Sequence, residues 1–497
     1  MASAQPPRSG AFCLYYHEQT KYSPESLSRK TRQLDWSTQP VPFKEYAGGE
    51  VIDLRPYLPG QGQAGDSNLA RLSLQLYLSY GVTAVVPYPD QPFYMRAAPS
   101  AGGLYPAEIY LVSGGGTLSA GLYNYQVRTH TLVRFWSGEC WQRLVRACFD
   151  DPAFAEQDLA VVVTAVFERS AWRYEDRAYR RIFLDSGHLL GNLELATALG
   201  GQHLGLITAF DDDALATLLF LVPDEEGVVA VGIPGRAAMP GHATALPGSR
   251  VVDYPPVPEG QLLTYLHRAS KLSEPSSQPP RTVEDKYNFP FCLRVATRTS
   301  PLDWQGRLES TILERRSTRS YSGEDVTLEQ LKLLLDFTYH PEHYAEQGFD
   351  PAPEYAHLHL LSTFVAALGV EGLEEGCYYY APGAEELRQI RFKNFRQQIH
   401  HLCLGQELGR DSAAVVFHTA DLPAAAALYG ERVYRTLHLD SGHLAQRLNL
   451  TAIFLGLGVS GIAGFFDDQV NEVLGIPAQE AVLYLTTLGK PRRGSRP

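Results

Sequence analysis

Two short stretches combine residue types that could bind a ligand. The first, APSAGGLYPAEIYLV, spans 98–112 and brings the Ser100 hydroxyl and the backbone of Pro99, Ala101 and Gly102 to the entry of a predicted strand. Glycine lets a planar ligand or a phosphate approach the main chain closely. A glycine-rich turn that binds nothing is the alternative interpretation.

The second stretch, ERRSTRSY, spans 314–321 and precedes a predicted helix, LEQLKLLLDFTY. Arg315, Arg316 and Ser317 match a phosphate, because guanidinium forks and hydroxyls donate to several phosphate oxygens at once. Arg319 is a third guanidinium, which could hold a developing anion. A solvated basic turn is the alternative.

A third stretch, LDSGHL, occurs twice, at 184–189 and at 439–444, and its flanks YEDRAYRRIF and YGERVYRTLH align without gaps. Similarity in one register over roughly 60 residues is the signature of an internal duplication. In a helix that begins at Asp185, the Asp and Ser oxygens would satisfy free amides of the first turn, so a structural or interface role is favoured. A catalytic or metal-binding role is the alternative, although neighbours within one helical turn do not converge like a triad.

GLGVSG at 456–461 matches the glycine pattern of dinucleotide-binding loops, but that pattern must follow a strand and open a helix. Here a long apolar helix is predicted to end at these glycines, so the dinucleotide interpretation is rejected. Gly458, Ser460 and Gly461 are expected to let backbone amides approach a flat ligand. The acidic residues at 211–213 and 467–468 are predicted to cap the next helix, and no metal site is predicted.

Mixed α and β patterns position these stretches, and the second half of the chain repeats the order of the first. Strands or hairpins are predicted at 108–112, 122–135, 160–167 and 228–232, with a helix at 185–199. The corresponding segments are 358–364, 377–392, 414–418 and 482–488, with a helix from Asp440. A polar, Pro- and Ser-rich stretch predicts a linker at 268–300. We therefore predict two domains, 1–267 and 301–497.

The composition is that of a soluble globular protein, with 44% hydrophobic and 20% charged residues. A net charge of −12 argues against nucleic acid as a partner, because a phosphate-backbone binder needs a basic face. The first ten residues lack a signal-peptide core, and no apolar run is long enough to span a membrane. Six cysteines without a CxxC pattern predict buried thiols in a reducing cytosol. A cytoplasmic protein without a membrane or nucleic-acid partner is predicted.

Together these stretches resemble the nitroreductase superfamily, in particular its SagB-type and cyanobactin-oxidase-type dehydrogenases. The resemblance covers 80–236 and 310–491. PSAGGLYPAEIYLV followed by LYNYQVRTHTLVRF is specific to that branch, and RRSTRSY resembles the generic opening of a nitroreductase domain. LDSGHLAQRLNLTAIFLGLGVSGIAGF is similar to the family's central helix and flavin-side loop.

The resemblance implies an α+β fold of two tandem three-layer α-β-α domains that form a pseudodimer within one chain, which is compatible with a monomer. Family members bind FMN between subunits. The resemblance implies that one subunit supplies the Arg-Ser-Arg opening, the glycine loop and a C-terminal basic residue, and that the other supplies the Pro-Ser segment. The implied FMN-binding residues are Arg315, Arg316, Ser317, Arg319, Gly458, Ser460, Gly461 and Arg492 from the second half, with Pro99, Ser100, Ala101 and Gly102 from the first.

Each half lacks what the other keeps. The first half has LDWSTQPVPFKEY (34–46) in place of RRSxR, and the second has GFDPAPEYAHLHLL in place of PSAGG. One composite site per chain is therefore predicted. The family's dehydrogenases often carry a Lys-Tyr pair before the central helix, and Arg173-Tyr174 aligns with it in the first half. These are the candidate catalytic residues, but arginine cannot accept a proton near neutral pH. Tyr174 is thus the candidate acid or base, with a packed, hydrogen-bonded tyrosine as the alternative.

The predicted function is FMN-dependent oxidoreduction, with hydride transfer at flavin N5. Two enzyme interpretations stay open: oxidation of a peptide heterocycle or C–N bond, and NAD(P)H-driven reduction of nitro or quinone compounds. The candidate substrates are small molecules or peptides, and the candidate electron partners are NAD(P)H and O2. A flavin-free binding or scaffold subunit of a peptide-modifying complex is the third interpretation.

Overall fold

The computed structural model describes residues 11–30, 32–58, 68–88, 92–235, 257–258, 260–274 and 284–492. The first ten residues and positions 275–283 of the predicted linker lie outside this range. Two seven-stranded sheets dominate the described part of the molecule, one in each half of the chain. The repeat in the sequence is therefore a repeat of structure.

The first half contains one long central helix among shorter helices and strands. Its elements are α1 Phe12–Gln19, α2 Pro24–Ser28, β1 Glu50–Asp53, α3 Asn68–Tyr80, β2 Val82–Val86, β3 Phe93–Arg96, β4 Ala107–Ser113, β5 Gly121–Gln126, β6 Thr131–Ser137, α4 Trp141–Ala147, β7 Leu159–Val166, α5 Phe167–Tyr174, α6 Ala178–Leu199, β8 His203–Ile207, α7 Asp212–Leu218, β9 Glu226–Gly235 and α8 Leu262–Ala269. The strands predicted in this half are confirmed as β4, the β5–β6 hairpin, β7 and β9.

The second half follows the same plan. Its elements are β10 Arg294–Ala296, α9 Leu308–Glu314, β11 Val326–Thr327, α10 Leu328–Tyr339, β12 Leu361–Ala367, β13 Val370–Glu371, β14 Gly376–Ala381, β15 Glu386–Phe392, α11 Arg396–Leu402, α12 Glu407–Asp411, β16 Ala414–Asp421, α13 Leu422–Tyr429, α14 Val433–Phe454, β17 Gly458–Ile462, α15 Asp467–Leu474 and β18 Glu480–Gly489. The predicted strands correspond to β12, the β14–β15 hairpin, β16 and β18. The strand β17 follows the long helix α14, which confirms that GLGVSG does not open a helix.

Both sheets are antiparallel and have the same strand order. The first runs β1-β6-β5-β4-β7-β9-β8 and the second runs β10-β15-β14-β12-β16-β18-β17. Successive side chains of a strand point to opposite faces of the sheet. On β4, Ile109 and Leu111 pack in one apolar cluster with α3 and α6, and Tyr110 and Val112 pack in another with α4 and α7. Helices cover both faces, which confirms the predicted α-β-α layers.

The central helix begins earlier than the capping pattern predicted. α6 starts at Ala178, so Asp185 lies two turns inside it, and α14 starts at Val433, well before Asp440. Both aspartates are buried, and each accepts hydrogen bonds from a loop elsewhere in its own half. The prediction of a helix start at these positions was wrong, because a polar residue that satisfies a distant loop has the same local appearance as an N-cap.

The two copies of LDSGHL pack against each other where α6 crosses α14. A Cβ on Gly187 would lie 2.1 Å from the carbonyl oxygen of Leu439, and a Cβ on Gly442 would lie 2.2 Å from that of Leu184. No larger residue fits at either position without separating the helices. The reciprocal contacts are those of an approximate twofold axis between the halves. The motif therefore has the interface role that the sequence favoured.

Buried ion pairs repeat this reciprocity. Arg177 and Arg180 of the first half contact Asp467 of the second at 2.8 and 2.7 Å. The matching set, at 2.6 and 2.7 Å, consists of Arg432, Arg435 and Asp212. Of the acidic residues predicted to cap helices, Asp211 does cap α7 through the Ala214 amide. Asp212 and Asp467 instead join the two halves.

The predicted domain limits run through structured segments. The helix α8 spans position 267, and β10 lies inside the predicted linker and pairs with β15 of the second sheet. The N-terminal amides of α1 donate to Glu431 of the second half, and amides at the start of α8 donate to Asp176 of the first. The limits 1–267 and 301–497 stay a prediction.

The six cysteines are free thiols, and all but the half-buried Cys292 are buried, as predicted. Burial raises the pKa of the Cys403 thiol to about 12, which keeps this thiol protonated. Within the described ranges, no helix combines the length and the apolar character needed to cross a bilayer.

Candidate active site at the junction of the two halves

Arg315 and Arg316, which follow α9, lie at the junction between the halves. Arg315 is buried; its Nε donates to the carbonyl of Ala97 at 2.6 Å and its Nη2 to that of Arg96 at 2.9 Å. Arg316 donates from Nη1 to Thr83 Oγ1 at 3.1 Å and from Nη2 to the Thr83 carbonyl at 3.2 Å. All these acceptors belong to the first half. The RRSTR segment is therefore attached to the residues just before PSAGG.

Among the described residues, no carboxylate forms an ion pair with Arg315, Arg316 or Arg319. The RRSTR segment therefore keeps its positive charge. Burial lowers the pKa of Arg315 to about 10, so its guanidinium is still charged at neutral pH. Ser317 is half-buried and Arg319 is exposed. A charged, hydroxyl-bearing segment of this kind has the donor set of a phosphate site.

The glycine strand and the C-terminal arginine lie beside the same segment. The Thr318 amide donates to the carbonyl of Val459 at 2.8 Å, and the Val459 amide donates to Thr318 Oγ1 at 3.0 Å. A Cβ on Gly458 would lie 2.6 Å from Thr318 Oγ1. The Arg492 amide donates to the carbonyl of Ser320 at 3.1 Å. Sequence-distant residues of the second half thus form one edge of the junction.

The Pro-Ser loop of the first half is held by the central helix. Ser100 Oγ donates to Asp185 Oδ2 at 2.5 Å, and the Ala101 amide lies 3.1 Å from the same oxygen. The Tyr105 amide donates to Ser100 Oγ at 2.9 Å. Gly102 adopts a left-handed conformation, with φ 66°, which glycine tolerates without strain. The Ser100 hydroxyl therefore anchors its own loop.

Burial raises the pKa of Asp185 to about 7, although the bonds from Ser100 and Ala101 and the charge of Arg181 act in the opposite direction. The carboxyl group is deeply buried and has no ion-pair partner among the described residues. The anchor of the loop is consequently a group that titrates near neutral pH.

Arg173 and Tyr174, at the end of α5, lie against this loop. A Cβ on Gly102 would lie 2.8 Å from Tyr174 Oη and 3.3 Å from Arg173 Nη1. The Arg181 guanidinium lies over the Tyr174 ring, with its carbon 3.8 Å from the ring centroid. Desolvation raises the pKa of Tyr174 above its ordinary value. The phenol is therefore protonated at neutral pH and can donate a hydrogen bond or a proton.

The other side of the junction is formed by β17 and a buried tyrosine of β18. A Cβ on Gly461 would lie 1.8 Å from Tyr484 Oη, so glycine is required there. Tyr484 Oη is hydrogen-bonded to His188 Nε2 of the first half at 3.0 Å. Burial lowers the pKa of His188 to about 3, so this histidine is neutral. Ser460 is buried, and its carbonyl accepts from Thr487 Oγ1 at 2.9 Å.

The structure thus brings Arg315 and Arg316 of the second half against the first half, Arg315 at a position three residues before Ser100, and Arg492 lies at the rim of this junction. Its guanidinium is 57% exposed and lies 4.0 Å from Asp411. Sequence reasoning missed Asp185, Arg181 and Tyr484. Asp185 belongs to the repeated motif, and Arg181 is a position where the two aligned copies differ. Neither pattern identifies the loop or ring that each residue contacts.

The equivalent position in the second half is filled differently. Asp440 accepts from the amides of Ala356 and His357, as Asp185 does from Ala101. The His357 ring lies 4.4 Å from the ring of Tyr429, and its Nδ1 is hydrogen-bonded to Thr436 at 2.8 Å. The His357 imidazole stands where the first half has its glycine loop, and it packs against Tyr429, the counterpart of Tyr174. The two positions therefore have different chemistry.

The family model described as "Nitroreductase family" matches residues 82–236 and 312–490. A protein of Methanocaldococcus jannaschii named a putative nitroreductase is 30% identical over 184 residues, which are 37% of this chain and 91% of that protein. The crystal structure of a putative nitroreductase from Anabaena variabilis superposes with a TM-score of 0.92 and is 55% identical, covering 97% of this chain and 100% of that chain. With two matched regions, one in each sheet-forming half, this chain belongs to the nitroreductase family.

Proposed function

We propose that the protein is an FMN-dependent oxidoreductase of the SagB-type branch that uses one composite site per chain. The observation that carries this proposal is the attachment of the RRSTR segment to the first half through Arg315 and Ala97, at 2.6 Å. The positive segment and the Pro-Ser loop, which the resemblance assigns to different subunits, are contributed here by different halves of one chain.

The donor set fits FMN. Arg315, Arg316 and Ser317 carry the charge and hydroxyl that a phosphate requires, and no described carboxylate competes for the two guanidinium groups. Arg319 would steady negative charge at the pyrimidine edge, and Arg492 would be a further phosphate ligand. Gly458, Ser460 and Gly461 would offer main-chain groups to the flavin, and Pro99, Ser100, Ala101 and Gly102 would cover it from the first half.

Bound FMN supplies hydride chemistry at N5. The chain's own residues hold the loops and move protons. Asp185 fixes the Pro-Ser loop through the Ser100 hydroxyl and the Ala101 amide. Tyr174, protonated beside Gly102, is the group placed to give a proton to substrate or take one from it. Arg173 cannot accept a proton near neutral pH and acts only as a cation and hydrogen-bond donor.

The substrate is proposed to be a peptide or a heterocyclic small molecule that undergoes dehydrogenation. NAD(P)H-driven reduction of nitro or quinone compounds is the second candidate, favoured by the names of the relatives from Methanocaldococcus jannaschii and Anabaena variabilis. NAD(P)H and O2 are the proposed electron partners for these two directions.

Absorbance spectroscopy of the purified protein tests the proposal. After reconstitution with FMN and removal of free flavin, we expect a yellow protein whose flavin absorbance bleaches on addition of dithionite. Bleaching by NAD(P)H would favour the reductase direction, and turnover with O2 would favour the dehydrogenase. A protein that stays colourless after reconstitution would refute the enzyme and favour a flavin-free scaffold subunit.

A further inference from the structure

Two histidines lie on one turn of helix at the end of α10, in the second half of the chain. The sequence HPEH spans 340–343, where α10 ends and a short 3-10 helix, Pro341–Gln347, begins. The His343 amide donates to the His340 carbonyl at 3.1 Å, which closes one turn. Side chains three residues apart lie above one another in a 3-10 helix. The two imidazoles therefore share a face, with ring centroids 5.2 Å apart.

Glu342 completes a set of three side chains that can bind a metal ion. One ligand atom from each of His340, Glu342 and His343 lies within 4.8 Å of the other two. The distance between His340 Nδ1 and Glu342 Oε1 is 3.3 Å. Two ligand atoms that each lie about 2.1 Å from a tetrahedral ion are roughly 3.4 Å apart, so this spacing is that of two ligands of one ion. Histidine nitrogens and a carboxylate oxygen are ligands that Zn²⁺ prefers.

Hydrogen bonds to their other nitrogens orient both imidazoles. His343 Nδ1 is bonded to Asp336 Oδ1 at 2.8 Å, and His340 Nε2 is bonded to Tyr380 Oη at 3.1 Å. Asp336 is buried, and its other oxygen accepts from Tyr344 Oη at 2.6 Å, which fixes the carboxylate. A histidine that binds a metal usually donates its second N–H to such an acceptor, which fixes the ring and its tautomer. His343 Nε2 and His340 Nδ1 are thus the nitrogens left for an ion.

The three side chains can be reached from solvent. Glu342 is 57% exposed, His343 33% and His340 13%. An ion can therefore enter without any movement of the backbone, and water can occupy its fourth position. A second carboxylate lies in the vicinity, because the pKa of Glu385 is lowered chiefly by the hydrogen bond from Arg298 and further by the charges of His340 and His343. Negative charge beside the imidazoles favours a cation.

We propose that His340, Glu342 and His343 bind one divalent transition-metal ion of the Zn²⁺ type, with Asp336 and Tyr380 as positioning residues. This site does not depend on the proposed flavin chemistry. No metal site was predicted from the sequence, because two histidines three residues apart become a ligand pair only where the chain forms a 3-10 turn.

The ion ties the end of α10 to the 3-10 helix that follows. Tyr344 of that helix packs in one apolar cluster with Phe337 of α10, Trp304 and Ala97 of the first half. Ala97 is also the residue whose carbonyl accepts from Arg315. A ligand that binds only the folded chain stabilises it. Zn²⁺ therefore raises the stability of the second half beside the junction.

The test uses the full-length protein, treated with EDTA and returned to metal-free buffer. Isothermal titration calorimetry with ZnCl2 measures stoichiometry and affinity for the wild type, His343→Ala, Glu342→Ala and the control His401→Ala, which removes another exposed imidazole. We expect one Zn²⁺ per chain in the wild type and H401A. H343A and E342A should each weaken binding by at least 10- to 100-fold, the loss that follows when only the partner behind a metal ligand is removed.

The melting temperature is the second measurement, and it also shows that each variant is folded before metal is added. ZnCl2 should raise it in the wild type and H401A, and should leave it unchanged in H343A, whereas MgCl2 should have no effect on any of them. A wild type that does not bind Zn²⁺ saturably would overturn the proposal without any variant. So would Zn²⁺ binding in H343A equal to that in the wild type, which would mean adventitious ions elsewhere on an acidic chain. Both results are independent of whether the protein retains FMN.

Discussion

At the residue scale, the carboxyl group of Asp185 decides how the Pro-Ser loop is held. It accepts from Ser100 Oγ and from the Ala101 amide, and burial raises its pKa to about 7. An unfolded Asp titrates near 4. Between about pH 4 and pH 7 the folded chain therefore binds more protons at this site than the unfolded chain. Stability should fall as pH rises through this window and be constant for this group above it.

Asp185→Asn removes the titrating group but keeps an acceptor for the Ala101 amide. We expect the melting temperature of the wild type to fall between pH 5 and pH 8, and that of D185N to fall less. Adding Asp440→Asn should reduce the decrease further, because burial also raises the pKa of Asp440 to about 7. Asp53→Asn is the control, since hydrogen bonds from Arg55 lower the pKa of Asp53 to about 2, below the range scanned. Equal decreases in the wild type and the double variant would contradict the role of these carboxyls.

Tyr174 and Tyr429 offer a matched comparison, because they occupy equivalent positions in the two halves. Tyr174 Oη lies beside the glycine loop, whereas Tyr429 Oη is hydrogen-bonded to His359 at 2.9 Å. With any accepted substrate, Tyr174→Phe should lower kcat roughly 100-fold or more, because it removes a proton donor, while FMN content stays unchanged. Tyr429→Phe should leave kcat unaltered. Steady-state kinetics and flavin absorbance measure the two effects, and an unaltered kcat in Y174F would exclude Tyr174 from the chemistry.

The residue types of the junction could be predicted from the sequence, and their partners could not. RRSTR and PSAGG are local patterns, so their chemistry is visible in a few consecutive letters. The acceptors of Arg315 and the loop held by Asp185 are distant along the chain. Sequence separation hides such contacts until the fold is known. Arg315 consequently has a structural bond to the first half in addition to its proposed role toward phosphate.

At the element scale, the positions of the strands were predicted well, whereas the first residue of the central helix was predicted poorly. Strands β4, β7 and β16 are apolar runs bounded by polar loops, which fixes their location. Helix α6 contains Asp, Ser and His in its buried interior, where local propensity expects apolar residues. A helix whose polar residues are satisfied by tertiary contacts cannot be delimited by a capping pattern.

The crossing of α6 and α14 depends on two glycines. A Cβ on Gly187 would lie 2.1 Å from a backbone oxygen, which cannot move without shifting the whole helix. Gly187→Ala should therefore destabilise the protein by about 1–3 kcal/mol, as overpacking of a close-packed site does. Gly48→Ala is the control, because a Cβ there has nothing within 4 Å. Thermal melts should show a lower transition for G187A only, and equal transitions for the two variants would show that the crossing tolerates a side chain.

At the scale of the whole molecule, duplication of one domain, followed by the loss of a different motif from each copy, explains why the two equivalent positions beside Asp185 and Asp440 differ. The same strand order, the reciprocal ion pairs and the crossed LDSGHL copies show that the halves were built alike. The complementary motifs were visible in the sequence, and from them one composite site could be predicted. What the sequence did not reveal is that the His357 ring packs against Tyr429 in the second half, since their contact joins segments far apart along the chain.

The composite site predicts a single FMN per chain. Arg316 belongs to the second half and Ser100 to the first, yet both border one junction, because Arg316 donates to Thr83 and Arg315 to Ala97. Ser100→Trp would place an indole ring in the space proposed for the flavin and would remove the hydrogen bond that holds the loop to Asp185. Arg316→Glu would place a negative charge where the phosphate is proposed to bind. Loss of one charged partner of a buried phosphate should cost about 1.5–3 kcal/mol or more. Each variant alone should therefore abolish FMN retention, whereas Arg298→Glu, at an exposed arginine, should retain it.

The ratio of flavin absorbance to protein concentration after gel filtration measures the outcome. A ratio near two in the wild type, or a ratio near one in either site variant, would mean that flavin binds within a single half and would refute the composite site.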